Sequence, residues 1–182
     1  MIQKRCRSSL ARLTILGEMK INLTICGVHE LPEQKGKCWT HVISIWDKAF
    51  LYHAESREQV KAVAPRAQLL FSFFEDTSNP SYPHGPLPRD VKRILDFTSQ
   101  LPARAKVLVH CRAGVSRSTA IAYAILCQHS PPGMEMENLI RVQSLRDLVM
   151  PNRLIVKFAD KILKRKGEML SHLRREPDLP VF

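Results

Sequence analysis

"VLVHCRAGVSRSTA", residues 107–120, decides how the rest of the chain is read. A short run of aliphatic residues ends at His110, Cys111 follows, and Gly114 lies inside a brief polar stretch. Arg117 then opens a segment of small and apolar residues. A continuous apolar run of this length is the mark of a strand buried in the middle of a parallel sheet. The pattern predicts strand, tight loop and helix, with Cys111 delivered to the carboxyl end of the sheet, where open α/β folds place their ligands.

The flanking sequence alternates in the same way. "KINLTICG" (20–27), "WTHVISIWD" (39–47) and "AQLLFSFFE" (67–75) are rich in β-branched and aromatic residues and read as strands. "AESREQVKAVA" (54–64) has helical spacing and stops before Pro65. "DTSNPSYPHGPLP" (76–88) is too rich in proline for anything but a loop. "RDVKRILDFTSQL" (89–101) and "STAIAYAILCQHS" (118–130) read as helices, the second apolar enough to be buried. "MEMENLIRVQSLRDLVM" (134–150) and "NRLIVKFADKILKRK" (152–166) read as two more, separated at Pro151. Strands alternating with helices predict an α/β fold, with a central, mostly parallel sheet of four to five strands and helices on both faces.

With 182 residues the chain suits one domain. Residues 1–18 are basic and rich in serine and arginine, with no acid before Glu18. They are expected to form a disordered leader outside the fold, although their composition superficially resembles an organelle transit peptide. Residues 19–167 are expected to form the single catalytic domain, and 168–182 a basic tail. The net charge of +11 favours polyanions. The basic clusters lack interleaved aromatic residues, so a nucleic-acid groove is not predicted, and a solvated basic surface is their ordinary reading. No run approaches the roughly 18–20 apolar residues of a membrane span. The five cysteines are odd in number and include no CxxC pair. That pattern suits a reducing, cytoplasmic setting better than a disulfide framework, and shows no zinc site.

The bare spacing of a cysteine, five residues and an arginine is weak evidence, since about 0.4 such matches are expected here by residue frequency alone. Cys6 and Arg12 form a second copy, but without glycine, preceding strand or following hydroxyl. The copy at Cys111 has all three. A loop curled at Gly114 turns the backbone N–H groups of Arg112, Ala113, Gly114, Val115, Ser116 and Arg117 into one concavity. A helix amino terminus adds partial positive charge, and Arg117 offers a two-pronged grip on two oxygens, completing a cradle for phosphate or another oxyanion. The same field favours a thiolate. A free thiol titrates near 8.5, about three per cent ionised at pH 7, whereas cysteines in such loops fall to roughly 3.5–7.5. Ser118 is placed to donate to the sulfur, and His110 to brace the loop.

"HCRAGVSRS" (110–118) resembles the signature of the cysteine-dependent protein tyrosine phosphatases, in the form of the compact dual-specificity and similar bacterial enzymes. The likeness runs over roughly residues 66–163, through the buried helix, a helix with basic positions, and the step Pro151–Asn152. The resemblance implies hydrolysis of phosphorylated proteins or peptides through a cysteinyl-phosphate, with no metal or cofactor. It makes Cys111 the nucleophile and Arg117 the phosphate clamp, with Ser118 supporting the leaving sulfur and Asn152 fixing the loop. Members also carry an aspartate on a loop before the cysteine that protonates the leaving oxygen. Asp76 fits that role, with Glu75 and His84 as the alternatives.

Other readings stay open at this point. A catalytically silent module could use the same cradle to capture phosphorylated ligands. An arsenate reductase would use a cysteine in an anion loop with relay cysteines nearby. Cys127 lies on an apolar helix and reads as core, and a protective disulfide from Cys26, Cys38 or Cys127 to Cys111 under oxidation is the alternative reading of these cysteines. Phosphoinositide phosphatases usually carry extra lysines in the loop, where "RAGVS" has only Arg112.

Overall fold

The computed structural model describes residues 21–48 and 53–173; the expected leader, 1–18, lies outside them. Four strands, β1 (Asn22–Gly27), β2 (His41–Trp46), β3 (Gln68–Phe73) and β4 (Lys106–Cys111), form one sheet in the order β1-β4-β2-β3. Every pairing in it is parallel. The helices are α1 (His53–Val63), α2 (Pro88–Thr98), α3 (Arg117–Gln128), α4 (Glu135–Gln143), α5 (Arg153–Ile162) and α6 (Glu168–Ser171).

β4 is the hub. It lies between β1 and β2, and each of its residues after Lys106 is buried. Side chains alternate across a strand, so Val107, Val109 and Cys111 enter the larger core while Leu108 enters the smaller one. The smaller core packs Val60, Val63 and Ala64 of the α1 region, with Leu31 and Trp39, against Val42 and Leu108. The larger core carries residues of α2 to α6. On α2, Val91, Ile94, Leu95 and Thr98 are buried at the spacing of one helical face, and Pro88 begins the helix, where a missing N–H costs nothing. α3 is sheathed on all sides, with every residue from Arg117 to Cys127 buried.

Two expectations need correction. The helix expected over 134–150 ends at Gln143, where Ser144 caps it. Leu145, Leu148, Val149 and Met150 prolong the apolar pattern, but the chain is drawn instead along the cysteine loop, where the Met150 N–H donates to Val115 O at 3.1 Å. The packed domain also runs past the boundary expected at 167. Met169 and Leu173 belong to the core, and the Asp160 carboxylate fastens the segment by accepting from the N–H groups of Gly167 (2.8 Å) and Met169 (3.0 Å). Among the described residues, no helix is long and apolar enough to cross a membrane.

Candidate active site

β4 ends at Cys111 and α3 begins at Arg117, so the intervening loop must reverse the chain in five residues. Gly114 makes the turn at φ +74°, and a Cβ there would lie 2.6 Å from the Gly27 nitrogen. Gly27 faces it from the end of β1, where a Cβ would meet Ala113 O at 3.0 Å. The Val28 N–H closes the contact by donating to Arg112 O at 3.0 Å. Gly114 is thus required both by its positive φ and by backbone packing, and Gly27 is favoured by the close approach of the loop. Glu30 secures this corner, accepting from the Gly27 N–H at 2.5 Å and from Arg146 Nη1 at 2.7 Å with both carboxylate oxygens. Burial works to raise the Glu30 carboxyl group, but the Arg146 and Gly27 hydrogen bonds outweigh it and hold the group below its ordinary range.

The sulfur of Cys111 is buried and held from two sides. Gly114 N–H donates to it at 3.3 Å, and Ser118 Oγ lies 3.1 Å away. Among the described residues, no acceptor faces the N–H of Ala113, Val115, Ser116 or Arg117. Backbone donors of this kind beside the first turn of a helix suit an anion. The Arg112 side chain leaves the loop and leans towards Asp47, 3.9 Å away.

Arg117 is almost fully buried, and its partners fix its orientation. Nη1 donates to Phe74 O at 2.7 Å and pairs with Asp47 Oδ1 at 2.5 Å, while Nε has no hydrogen-bond partner. With Nη1 committed, the opposite edge of the guanidinium, Nε and Nη2, is the one whose parallel N–H bonds can grip two oxygens. Asp47 was not singled out from the sequence. The available signal was an acid directly after a strand, at the carboxyl end of the sheet and beside the strand that carries Cys111.

Asp76 reaches the loop that follows Cys111. Its Oδ1 accepts from Ser116 Oγ at 2.7 Å and from Asn152 Nδ2 at 2.8 Å, and Oδ2 lies 3.8 Å from Arg117 Nε. The Glu75 N–H is occupied in the loop's own fold, donating to His84 O at 2.8 Å. His84 is exposed. Asn152 meets the loop after Cys111 through its N–H, which reaches Ser116 O at 3.4 Å; its side-chain amide goes to the Asp76 loop, including Thr77 O at 3.1 Å.

His110 braces the strand rather than the loop. Its Nε2 lies 2.8 Å from Ser44 Oγ on β2, and the Trp46 indole N–H donates to the same hydroxyl at 2.6 Å. The Ser44 hydroxyl thus joins the His110 and Trp46 rings through one oxygen. Burial pushes the imidazole down to about 4. An unfolded histidine binds its proton near 6.5, so between the two values the unfolded chain holds more protons, and stability falls as pH drops through that window. The expected contribution is about 3 kcal/mol, fully present above pH 6.5 and lost towards pH 4. Urea unfolding across this range checks it against His110→Asn, whose slope with pH should be shallower. Identical slopes would refute the assignment.

The other described cysteines are Cys26, Cys38 and Cys127. All are free. Cys26 pairs in register with His110 and packs into the smaller core, on the face away from Cys111. Cys127 is buried at the far end of α3, and Cys38 is exposed before the start of β2, at the other end of the sheet. Burial raises the Cys26 and Cys127 thiols to about 12. Cys6, in the chance match, lies outside the described residues. Among the described residues, no group of three or more His, Cys, Asp or Glu could hold a metal ion.

No family model matches the chain, and no curated protein matches its sequence. Solved structures do match. Human DUSP28 superposes with a TM-score of 0.58 at 16% identity, over 83% of this chain and 97% of that one. Tk-PTP in its active form gives 0.53 at 18% identity, over 81% and 95%. PTPMT1 in complex with PI(5)P gives 0.54 at 15% identity, over 85% and 96%. At these identities the likeness is one of fold, and the fold is that of the tyrosine and dual-specificity phosphatases.

Proposed function

We propose that this chain hydrolyses phosphomonoesters through a phosphocysteine, acting on phosphotyrosine in proteins or peptides, with phosphoserine and phosphothreonine as the extension to be tested. The observation that carries the reading is the arrival of Asp76, from a separate loop, beside the guanidinium that faces the anion cradle. A module that only captured phosphate would need the cradle and Arg117 but no acid. An arsenate reductase would need a relay thiol free to reach Cys111, whereas Cys26 packs into the smaller core, Cys38 precedes β2 and Cys127 is buried near the end of α3.

The chemistry follows from the placement. Cys111 Sγ attacks phosphorus as the S–P bond forms and the ester P–O bond breaks. The loop amides and the Nε–Nη2 edge of Arg117 hold the equatorial oxygens, supplying the charge stabilisation within the protein itself. Asp76 gives its proton to the departing oxygen. Water then attacks phosphorus, Asp76 takes the proton released, and the S–P bond breaks. Ser118 O–H supports the sulfur as it regains its charge.

The loop supports a protein phosphoester over an inositide headgroup, because its sole basic side chain besides Arg117, Arg112, turns towards Asp47. A panel of phosphopeptides, phosphoinositides and aryl phosphates tests the whole reading. The expected result is phosphate release, fastest from phosphotyrosine peptides, with one phosphoryl group trapped on the Cys111 peptide after acid quench. Phosphoinositides as the best substrates would overturn the substrate class. No turnover anywhere, with retained phosphopeptide binding, would favour the capture module.

A further inference from the structure

We infer that Asn152 is a positioning residue for the Asp76 carboxyl group, and that it places the transferable proton on Oδ2. The inference rests on the phosphatase reading and adds to it the origin of the acid's orientation.

Asn152 is buried and uses its side chain in two directions. Its Oδ1 caps α5, accepting from the N–H groups of Leu154 and Ile155, both at 3.1 Å. A capped asparagine has a fixed rotamer, and its Nδ2 is thereby aimed at Asp76 Oδ1 and Thr77 O. Ser116 Oγ donates to the same Asp76 oxygen. Two donors occupy both in-plane lone pairs of Oδ1, leaving it no site for a proton. The acid's proton therefore resides on Oδ2, the oxygen that faces Arg117 Nε.

The device matters because Asp76 sits at an exposed position, where a carboxyl group would otherwise sample several rotamers. The body of its loop holds itself, through Glu75 N–H to His84 O and Gly85 N–H to Tyr82 O at 3.0 Å. The carboxyl group is what depends on Asn152. The helix cap, formed on folding, sets the acid's direction before any substrate arrives.

Asn152→Ser tests this, since serine also caps helices but cannot reach Asp76 with an amide. We would measure kcat/KM for aryl phosphates from 4-nitrophenyl to phenyl phosphate, together with inhibition by tungstate. A misaimed acid penalises poor leaving groups most. The expected extra loss for phenyl over 4-nitrophenyl phosphate is about tenfold, a fraction of the 10²–10⁴ a general acid supplies. Tungstate affinity should change little. Ser116→Ala, which removes the other donor to Oδ1 and leaves the cap untouched, should show the same signature. A uniform loss along the series, with tungstate affinity falling in proportion, would overturn the inference and make Asn152 a brace for the phosphate loop alone. A wild-type protein that turned over no ester would instead overturn the phosphatase reading itself.

Discussion

Cys111→Ser is expected to lower phosphomonoester turnover by at least about 10⁴-fold, the scale on which removal of a nucleophile is felt. The serine hydroxyl is not ionised at neutral pH, and nothing adjacent to position 111 is placed to deprotonate it. His110, the neighbouring base by sequence, is turned to Ser44 and keeps its Nε2 engaged there. The fold should be unaffected, because the substitution is nearly isosteric and Gly114 N–H and Ser118 Oγ can bond to oxygen as they do to sulfur. Oxyanion affinity should be retained, because the substitution leaves the loop amides and Arg117 in place. Phosphate release and tungstate titration on the same preparation check both halves. Retained turnover would remove Cys111 from the mechanism.

Arg117→Lys should cost about 10³-fold in kcat/KM, as loss of a single oxyanion donor typically costs 10²–10³ and the two-pronged edge is lost together. A lysine retains the charge but has no parallel pair of N–H bonds. Stability adds a second measurement. Arg117 and Asp47 form an ion pair with side-chain exposures of 2% and 10%, and removing one partner leaves a buried charge uncompensated. Arg117→Met is therefore expected to lose about 3–5 kcal/mol of stability. Adding Asp47→Asn should return part of that, because the double variant no longer buries a lone carboxylate. Urea unfolding of the two variants tests this, and equal midpoints would show that Asp47 does not carry the expected charge.

The parts of the site that could be read from sequence were those contiguous in the chain. Cys111, Gly114, Arg117 and Ser118 lie on one strand, turn and helix, and local rules suffice for them. Asp47 could not be read in this way, because its pairing with Arg117 exists only once β2 lies beside β4, and strand order is a tertiary fact. The contact of Asp76 with Ser116 has the same character, since only the folded loop brings the two together. The apolar pattern predicts a longer α4 because it continues past Gln143 into residues that serve the loop. α6 was missed because four residues carry no periodicity, and what secures them is Asp160 from another helix.

Asp47, Phe74 and Cys111 stand at or just past the ends of β2, β3 and β4, three successive neighbours in the sheet. The distances between arginine anchor, backbone anchor and nucleophile are therefore multiples of the separation between paired strands, about 4.8 Å, which no side-chain choice alters. Helix surfaces and connecting segments are left at liberty to diverge, because none of them is the ruler. A chain 18% identical to Tk-PTP and 16% identical to human DUSP28 can for that reason share their fold.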